Sequence, residues 1–539
     1  MSGGSASRGL SDLVRATGVV LFSSATVMTV GLIKNVLAAF YFGTSGDMDS
    51  YLLALLLPDI VMQLARTGAF NFIPLFAAES RRSEEAAWDA AARMLTYWLL
   101  LLVVALGIGF LVSSPAVTLL APGLSPALRG QTQGFTRVLL LMAATVGVAR
   151  ILAVTLHAER RFLAAGASEA VFQVVSVLYL VAFHDWGISA LVWAQVVGGF
   201  AQLFVAALGL WKERRRIRPS FDFRTGPVRK MVRLSLPVYL GDSGDKVNLM
   251  VTRAFASLLP AGAVSALQYA LTLIEGLHSL LVGSFITALF PYLSQRFARG
   301  GDRGAFVGLH RAAVLTSLIF LPLAAGVWLA AEPLVVLLFE RGSFDVASTD
   351  LTASALRLYS PALLALGLNA LVGSMFHARQ DTLTPMRAGL VRVGVNIALC
   401  ATLAPVLGHR GIALATTLAL FAKLAHLMSA LRRLLPDRTL GVTLRAMIRP
   451  VPAVLLMAVV VYPLAALAHT PRILEDYALA LLLALGLLGL SAYAAGLWLF
   501  CRRELVFYVA LVHRALVRSS RLRRLARRPP AGRPEGAGA

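Results

Sequence analysis

The stretch FHARQDTLTP, residues 376–385, is a short polar break between two long apolar runs. Similar breaks recur from one end of the chain to the other. The apolar runs between them reach the roughly 20 residues that a helix needs to cross the hydrocarbon core of a bilayer. The pattern therefore predicts a membrane protein that crosses the bilayer many times.

Composition supports this prediction. The 539 residues are 58% hydrophobic and 14% charged, with a mean hydropathy of +0.75. A soluble chain carries about 25% charged residues. We predict an all-α polytopic membrane protein with fourteen transmembrane helices, near residues 16–42, 50–78, 88–113, 134–157, 164–183, 187–210, 232–258, 264–294, 307–338, 351–376, 384–406, 411–431, 447–468 and 477–500.

The net charge of +23 is explained by topology. Lys and Arg concentrate in alternate loops, as in the cluster KERRRIRP at 212–219, and cytoplasmic loops are the ones enriched in these residues. The alternation places both termini in the cytoplasm and predicts anionic membrane lipids as partners. Nucleic acid is not expected as a partner.

The chain contains a weak internal repeat. KNVLAAFYFG at 34–43 matches RAFASLLPAG at 253–262, and GAFNFIP at 68–74 matches GSFITALFP at 283–291. Two parallel six-helix halves with a site between them are typical of alternating-access transporters. The predicted division is an N-terminus 1–15, an N-half 16–210, a basic linker 211–231, a C-half 232–431, two extra helices 447–500, and a basic amphipathic, then disordered, tail 501–539.

Several motifs carry a family resemblance. They are FGTSGDMDSY at 42–51, LPD at 57–59, RTGAFNFIPLFAAE at 66–79, FASLLPAGAVSALQYA at 255–270, FPYLSQRFARGG at 290–301 and FHARQDTLTP itself. With them the chain resembles the MurJ/MviN family of lipid II flippases, within the multidrug/oligosaccharidyl-lipid/polysaccharide exporter superfamily. The resemblance implies a flippase of the bacterial cytoplasmic membrane. It also implies that FHARQDTLTP is a cytoplasmic turn, with Thr382 or Thr384 capping the helix that Pro385 begins.

The implied substrate is an undecaprenyl-pyrophosphate-linked saccharide, moved from the inner to the outer leaflet. A diphosphate cannot cross hydrocarbon unaided, because desolvating charge is costly. Ionisable residues inside spans are therefore the candidate binding residues. They are Lys34, Asp49, Arg66, Lys246, Arg253 and Glu275, with Asp242 and Asp245 beside them.

Lys34 and Arg253 occupy matching repeat positions, so we expect them on opposite sides of a cavity as phosphate-binding cations. In a second, structural interpretation Lys34 pairs with Asp49 and Arg253 pairs with Glu275. An i,i+4 pair of Asp242 with Lys246 is a further structural possibility.

The remaining ionisable residues receive simpler interpretations. Arg150, Arg392 and Lys423 are expected to reach the membrane interface from span ends. The sequence contains no G-x-x-x-x-G-K-[ST] loop and no His/Cys cluster with metal spacing. We therefore expect no enzyme activity, no cofactor and no metal, with an ion gradient or the membrane potential as the energy source.

The sequence also departs from the family pattern. Lys34 stands where arginine is usual, Met28, Met62 and Thr272 are neutral, and Thr67 replaces a glutamate. Three further functions therefore remain open: a flippase for an exopolysaccharide or O-antigen precursor, a cation-coupled drug exporter, and a transport-inactive scaffold whose partners are envelope-assembly proteins.

Overall fold

Helices form wherever the chain is apolar, because a backbone in hydrocarbon must satisfy its N–H and C=O groups within its own segment. In the computed structural model, the described residues contain helices and no β-strand. The described residues are 3–213, 216, 218–223, 226–379, 381–434, 439–466, 471–502 and 506. Within helices, side chains are described except at 3–22, 64–71, 226–227, 231–232, 234–243, 282–306, 439 and 471–476.

The described part of the chain forms α-helices that are numbered here in chain order. They are α1 Gly3–Phe42, α2 Gly46–Ala54, α3 Leu56–Ser80, α4 Glu84–Leu111, α5 Ser113–Leu120, α6 Pro126–Ala158, α7 Phe162–Ala182, α8 Ile188–Gly209, α9 Gly226–Ser257, α10 Ala263–Leu329, α11 Ala331–Phe339, α12 Val346–Tyr359, α13 Ala362–Ala378, α14 Leu383–Leu407, α15 His409–Arg432, α16 Thr439–Ile448, α17 Val451–Ala466 and α18 Pro471–Phe500.

Ten helices in the described residues are long and apolar enough to cross a membrane, and one bent pair raises the number to 11. They coincide with predicted spans one, three to six and nine to fourteen. Predicted spans two, seven and eight fall on α3, α9 and the first half of α10, which carry most of the candidate site residues. The all-α polytopic fold is confirmed, and the count of fourteen stays a prediction.

The segment α10 contains predicted spans eight and nine. A straight helix of its 67 residues would be about 100 Å long. Leu277 and Leu323 nevertheless line the same cavity. The path of α10 therefore turns back between these two residues, as two antiparallel spans require.

Two helices begin before the spans predicted for them. Helix α1 begins at Gly3, so most of the predicted N-terminal segment 1–15 is helical. Helix α9 begins at Gly226, within the last residues of the predicted linker 211–231. Polar residues extend both helices because a helix end that leaves the hydrocarbon is free to carry them. The tail beyond Val506 lies outside the described residues.

The helices pack in two groups. In the first, α6 contacts α3, α4 and α8, and α7 contacts α1 and α8. In the second, α14 contacts α9 and α15, and α13 contacts α10 and α15. The groups meet where α3 and α4 contact α9 and where α2 contacts α10, while α17 and α18 pack together against α10 and α11.

At one end of the bundle, the loops of the two groups are locked together. We call this the interlocked end: residues 43–49, 121–125, 257–265 and 341–348. The Ser343 N–H donates to the Phe40 carbonyl at 2.8 Å, and the Thr44 and Ser348 hydroxyls lie 2.7 Å apart. Gly123 approaches α9 so closely that an added Cβ would overlap the Ser257 backbone. These contacts hold the two groups closed at this end.

Predicted span ten is a broken helix. Helices α12 and α13 meet at a 42° bend around Ser360 and Pro361. Proline has no N–H, so it cannot continue the helical hydrogen bonds across this point. The Thr417 hydroxyl of α15 donates to the Leu358 carbonyl beside the break at 2.8 Å. A side chain from another helix thus satisfies part of the broken backbone.

The turn between α13 and α14 is the FHARQDTLTP segment. Its cap comes from Asp381, whose carboxylate accepts from the Thr384 N–H at 3.0 Å and the Thr384 hydroxyl at 2.7 Å. The prediction that a threonine caps this helix is therefore wrong. Carboxylates are better acceptors at a helix start because they also favour its positive dipole end.

Removing this cap should have a modest, pH-dependent cost. We expect Asp381→Ala to lower stability by about 1 kcal/mol, as for other N-cap losses. The hydrogen bonds from Thr384 hold the pKa of Asp381 below its ordinary value. The stabilisation is therefore present at neutral pH and is lost as the pH falls through that lowered pKa. Thermal unfolding of the purified protein across pH measures this.

The control for that experiment is Asp350→Ala, which removes an exposed ion pair to Arg410 of 3.6 Å. Exposed pairs contribute little. Equal losses for the two variants at neutral pH would contradict the capping role of Asp381.

Candidate functional site

Charged side chains from five helices meet between the two groups of helices. We call them the central charge cluster: Asp59 of α3, Asp245, Lys246 and Arg253 of α9, Glu275 of α10, Arg392 of α14 and Lys423 of α15. Charges within spans are costly unless they are paired or face water. Their convergence identifies the part of the described structure best suited to a charged ligand.

The contact that joins the two groups inside this cluster is Lys246 with Asp59. The Lys246 ammonium lies 3.9 Å from an Asp59 carboxylate oxygen, and both side chains are about one quarter exposed. Sequence reasoning gave Asp242 as a structural partner of Lys246, but the side chain of Asp242 lies outside those that are described. Asp59 was missed because its only sequence signal was its place in the LPD motif.

Asp245 holds two cations. The Arg392 guanidinium lies 2.5 Å from one Asp245 oxygen, and the Lys423 ammonium lies 4.0 Å from the same oxygen. The close approach of α9 to α14 permits this, because Gly244 faces the backbone of Gly389. The interpretation of Arg392 and Lys423 as interfacial residues stays a prediction; in the described structure both side chains contact the Asp245 carboxylate.

Arg253 is buried, and its side chain is hydrogen-bonded to other groups of the protein. Its guanidinium donates to the Leu52 carbonyl of α2 and to the Gln268 side-chain oxygen, the latter at 2.8 Å. Glu275 is exposed to the space between the helices, within electrostatic range of Lys246, Arg253 and Arg392. A direct pair of Arg253 with Glu275 is not what the described contacts show.

Lys34 of α1 points toward α7 and α8. Its ammonium donates to Gln195 at 3.4 Å and lies 5.3 Å from the centre of the Phe172 ring. Gln195 in turn donates to the Tyr51 hydroxyl at 2.6 Å. Tyr51 adjoins Leu52, the residue that Arg253 contacts. The two matching repeat positions are thus linked through neighbouring residues of α2.

Asp49 has a different environment from the one expected. Its two oxygens accept from the Gly262 and Ser265 N–H groups at 2.7 Å each, and the side chain is 4% exposed. These N–H groups begin α10, where a carboxylate is favoured. Among the described side chains, the expected pairing of Asp49 with Lys34 is therefore wrong. In this conformation Asp49 joins α2 to α10 at the interlocked end.

A polar cavity adjoins Lys34 within the first group of helices. Its volume is ≈ 280 Å³. Charged and amide side chains line it together with Phe172 and Met62: Asp59, Arg150, Glu169, Gln173, Gln195 and Gln202. Arg150, which was interpreted from sequence as interfacial, has its side chain in the lining of this cavity. Asp59 belongs to both this cavity and the central charge cluster, and so connects them.

An apolar cavity lies on the other side of the second group. It has a volume of ≈ 550 Å³ between α10, α11, α17 and α18, and its lining includes Leu277, Leu281, Met457, Leu485 and Tyr493. Leu277 is two residues from Glu275 on α10. This spacing puts the two side chains on nearly opposite faces of the helix, so the charged and apolar spaces lie on two sides of the same part of α10.

Arg66 and a possible metal site are the remaining features of the predicted site. The side chain of Arg66 lies outside the described ones, so its binding role stays a prediction. Among the described residues, no group of three His, Cys, Asp or Glu side chains is arranged to hold a metal ion.

Comparison with known proteins extends these observations. The family model described as "Lipid II flippase MurJ" matches residues 38–483. A probable lipid II flippase MurJ of Rhizobium meliloti is 30% identical over 416 residues, covering 72% of this chain and 75% of its own. A lipid II flippase MurJ of Burkholderia cenocepacia is 27% identical over 421 residues, covering 75% and 80%.

Solved structures agree on the fold. A lipid II flippase MurJ in an inward closed conformation superposes with a TM-score of 0.73 at 20% identity, covering 90% of this chain and 99% of its own. An inward-facing multidrug resistance transporter of the MATE family, in the MOP superfamily, gives a TM-score of 0.60 at 15% identity, covering 78% and 96%.

Proposed function

The chain belongs to the MurJ family of lipid II flippases, and from this premise we propose that it carries lipid II across the membrane by alternating access. Lipid II here means a saccharide linked through a diphosphate to a long isoprenoid chain. The protein is a multi-pass membrane transporter. We place it in the bacterial cytoplasmic membrane, with both termini in the cytoplasm and the interlocked end facing outward.

The observation that carries this proposal is the central charge cluster between the two groups of helices. The substrate has an anionic head and an apolar tail, so its carrier needs a cationic site and an apolar surface. Of the seven charged groups in the cluster, four are cations and three are carboxylates, which favours an anion. The apolar cavity along α10 has the chemistry of an isoprenoid tail.

The roles of the predicted binding residues follow from their contacts. We propose that Lys246 and Glu275 face the substrate directly, because both are partly exposed between the groups of helices. Lys34 contributes from beside the polar cavity, through its contacts with the lining residues Gln195 and Phe172, and the amide side chains of that lining suit sugar hydroxyls. Arg253 reaches the substrate only after its contacts with Leu52 and Gln268 open. Asp49 acts through closure of the interlocked end.

The test is complementation in a bacterium depleted of its own lipid II flippase, with analysis of its lipids. We expect the protein to restore growth and to remove accumulated lipid II. Lys34→Met should abolish or strongly reduce this at normal abundance, because methionine keeps the bulk of the side chain and removes its charge. Lys212→Met, in the turn Trp211–Glu213 outside the cluster, is the matched control.

Two results would count against the proposal. Growth without clearance of lipid II would contradict transport, and clearance that is unchanged in Lys34→Met would contradict the binding role of that residue. A well-inserted protein that fails with lipid II but clears another lipid-linked oligosaccharide would favour the second candidate. The observation in favour of that candidate is that Met28 and Met62 are neutral, with Met62 in the lining of the polar cavity, where the family resemblance implies cations.

A drug exporter and a transport-inactive scaffold fit the site less well. A carrier for cationic drugs would be expected to present an acidic, aromatic pocket, whereas the described cluster has more cations than carboxylates. A scaffold without transport would not be expected to maintain charged side chains between its helices, because each is costly there. Enzyme activity forms no part of the proposal, since a flippase moves its substrate unchanged.

A further inference from the structure

Arg392 and Lys423 stand opposite each other on a helical hairpin. Helices α14 and α15 pack side by side and are joined at Gly408. Arg392 lies nine residues after Leu383, where α14 begins, and Lys423 lies nine residues before Arg432, where α15 ends. At 1.5 Å per residue, both are about 14 Å from the same end of the hairpin. The register therefore places the two cations at the same level of the hairpin, in the inner part of both helices.

The hairpin presents more positive than negative charge. Both cations address a single carboxylate oxygen of Asp245, at 2.5 Å from Arg392 and 4.0 Å from Lys423. Their own side chains are 14% and 21% exposed, whereas Asp245 is 63% exposed. Both cations are thus largely buried, and the carboxylate that they both contact lies on the open side.

The Arg392 guanidinium also has unused capacity. Its Nε atom is buried and has no hydrogen-bond partner among the described groups. A guanidinium presents its N–H donors in a planar fork that matches two oxygens of a phosphate. Lys423 adds a point charge beside this fork. A carboxylate at a single position of α9 uses only part of this arrangement.

We propose that Arg392 and Lys423 form the diphosphate-binding site of the second half, and that Asp245 is an internal counter-ion which the substrate diphosphate replaces. This inference rests on the proposed function for the identity of the ligand, a lipid-linked diphosphate. It differs from the sequence expectation, which gave that role to Lys34 and Arg253. Glu275, within electrostatic range of Arg392, keeps the site from holding the anion too tightly.

Counter-ion exchange has a consequence for the helices. Asp245 belongs to α9, whereas the two cations belong to α14 and α15. When a diphosphate takes over the cations, the ion pairs between α9 and the hairpin are lost. Lys246, the next residue of α9, holds Asp59 of the first group at 3.9 Å. Binding of a diphosphate to the hairpin therefore breaks the ion pairs of Asp245, whereas the neighbouring ion pair of Lys246 with Asp59 remains. Binding of the substrate is thereby coupled to movement of α9.

The test uses the full-length protein in lipid nanodiscs and measures the binding of farnesyl diphosphate, a short isoprenoid diphosphate without sugar. We expect Arg392→Gln and Lys423→Gln each to weaken binding about tenfold or more, the scale of a hydrogen bond to a charged group. Asp245→Asn should tighten binding about tenfold, because it removes the competing carboxylate. Arg410→Gln, from the exposed pair with Asp350, should leave it unchanged.

Asp245→Asn is expected to tighten binding of farnesyl diphosphate, whereas the two cation variants weaken it. This difference separates the proposal from a purely structural role of the three residues. If Asp245→Asn weakens binding as Arg392→Gln does, or if neither cation variant changes affinity, the counter-ion proposal is wrong. If Arg392→Gln does not fold, the other two variants still test the proposal: Lys423→Gln should weaken binding and Asp245→Asn should tighten it.

Two further probes identify the source of the anion. The binding of farnesol, which lacks phosphate, should not change with any of the three substitutions. Inorganic pyrophosphate should bind more weakly than farnesyl diphosphate, and equal affinities would overturn the lipid-linked assignment. The variants could change the binding of farnesyl diphosphate as expected while the protein fails to clear lipid II in the complementation experiment. That result would support the anion site and refute the proposed function.

Discussion

Gly123→Ala should lower the stability of the protein by about 3 kcal/mol, the upper range for overpacking. Gly123 lies in the loop between α5 and α6, at the interlocked end. An added Cβ would overlap the Ser257 carbonyl group and the Leu258 Cα, all of them backbone atoms. A flexible side chain could yield to a new methyl group, but these backbone atoms cannot do so without moving the end of α9.

The matched control is Gly130→Ala on α6. A Cβ at Gly130 meets nothing within 4 Å, and alanine is favoured over glycine in a helix by about 0.5–1 kcal/mol. Thermal unfolding of both variants in detergent should therefore show changes of opposite sign. A loss at Gly123 no larger than the change at Gly130 would mean that the approach of the α5–α6 loop to α9 is not tight.

Asp49→Ala should lower the stability of the protein by about 3 kcal/mol, because the buried carboxylate accepts two charge-assisted hydrogen bonds of 2.7 Å. Its removal leaves the Gly262 and Ser265 N–H groups at the start of α10 without their acceptor. Asp49→Asn should have an intermediate effect, since an amide offers one accepting oxygen in place of two. Transport should fall together with stability, because the same contacts close the interlocked end.

Asp47→Ala is the internal control for this prediction. Asp47 lies in the first turn of the same helix, but its side chain is exposed. A surface carboxylate at a helix start is worth about 0.5 kcal/mol. Unfolding temperatures of the two variants give the comparison, and a loss for Asp49→Ala as small as that for Asp47→Ala would contradict the capping role.

Most of the helical architecture was predictable from the sequence. Apolar runs of sufficient length leave a chain in hydrocarbon little choice of structure, and 11 of the predicted spans match helices or a bent pair in the described residues. The ends of helices were less predictable. At α14 the cap is Asp381 rather than a threonine, because several residues of one turn compete for the same N–H groups.

The site was predictable as a set of residue types, but its pairings were not. Lys246 contacts Asp59, and Asp49 contacts Gly262; each pair joins distant parts of the chain. A single sequence carries no record of such contacts. The Arg392–Lys423 pair did leave a signal, since the two residues are nearly equidistant from the turn at Gly408. Counting residues outward from that turn would have placed them side by side.

The broken helix of α12 and α13 has a consequence for how the protein is made. With 14 and 17 residues, these helices are about 21 and 26 Å long, so neither spans a core of about 30 Å alone. The Leu358 carbonyl at the break receives its hydrogen bond from Thr417, which is synthesised 59 residues later. Until α15 arrives, release of this pair into lipid would leave that carbonyl exposed to hydrocarbon. The hydrogen bonding of the broken span is therefore complete only after α15 has been synthesised and has packed beside it.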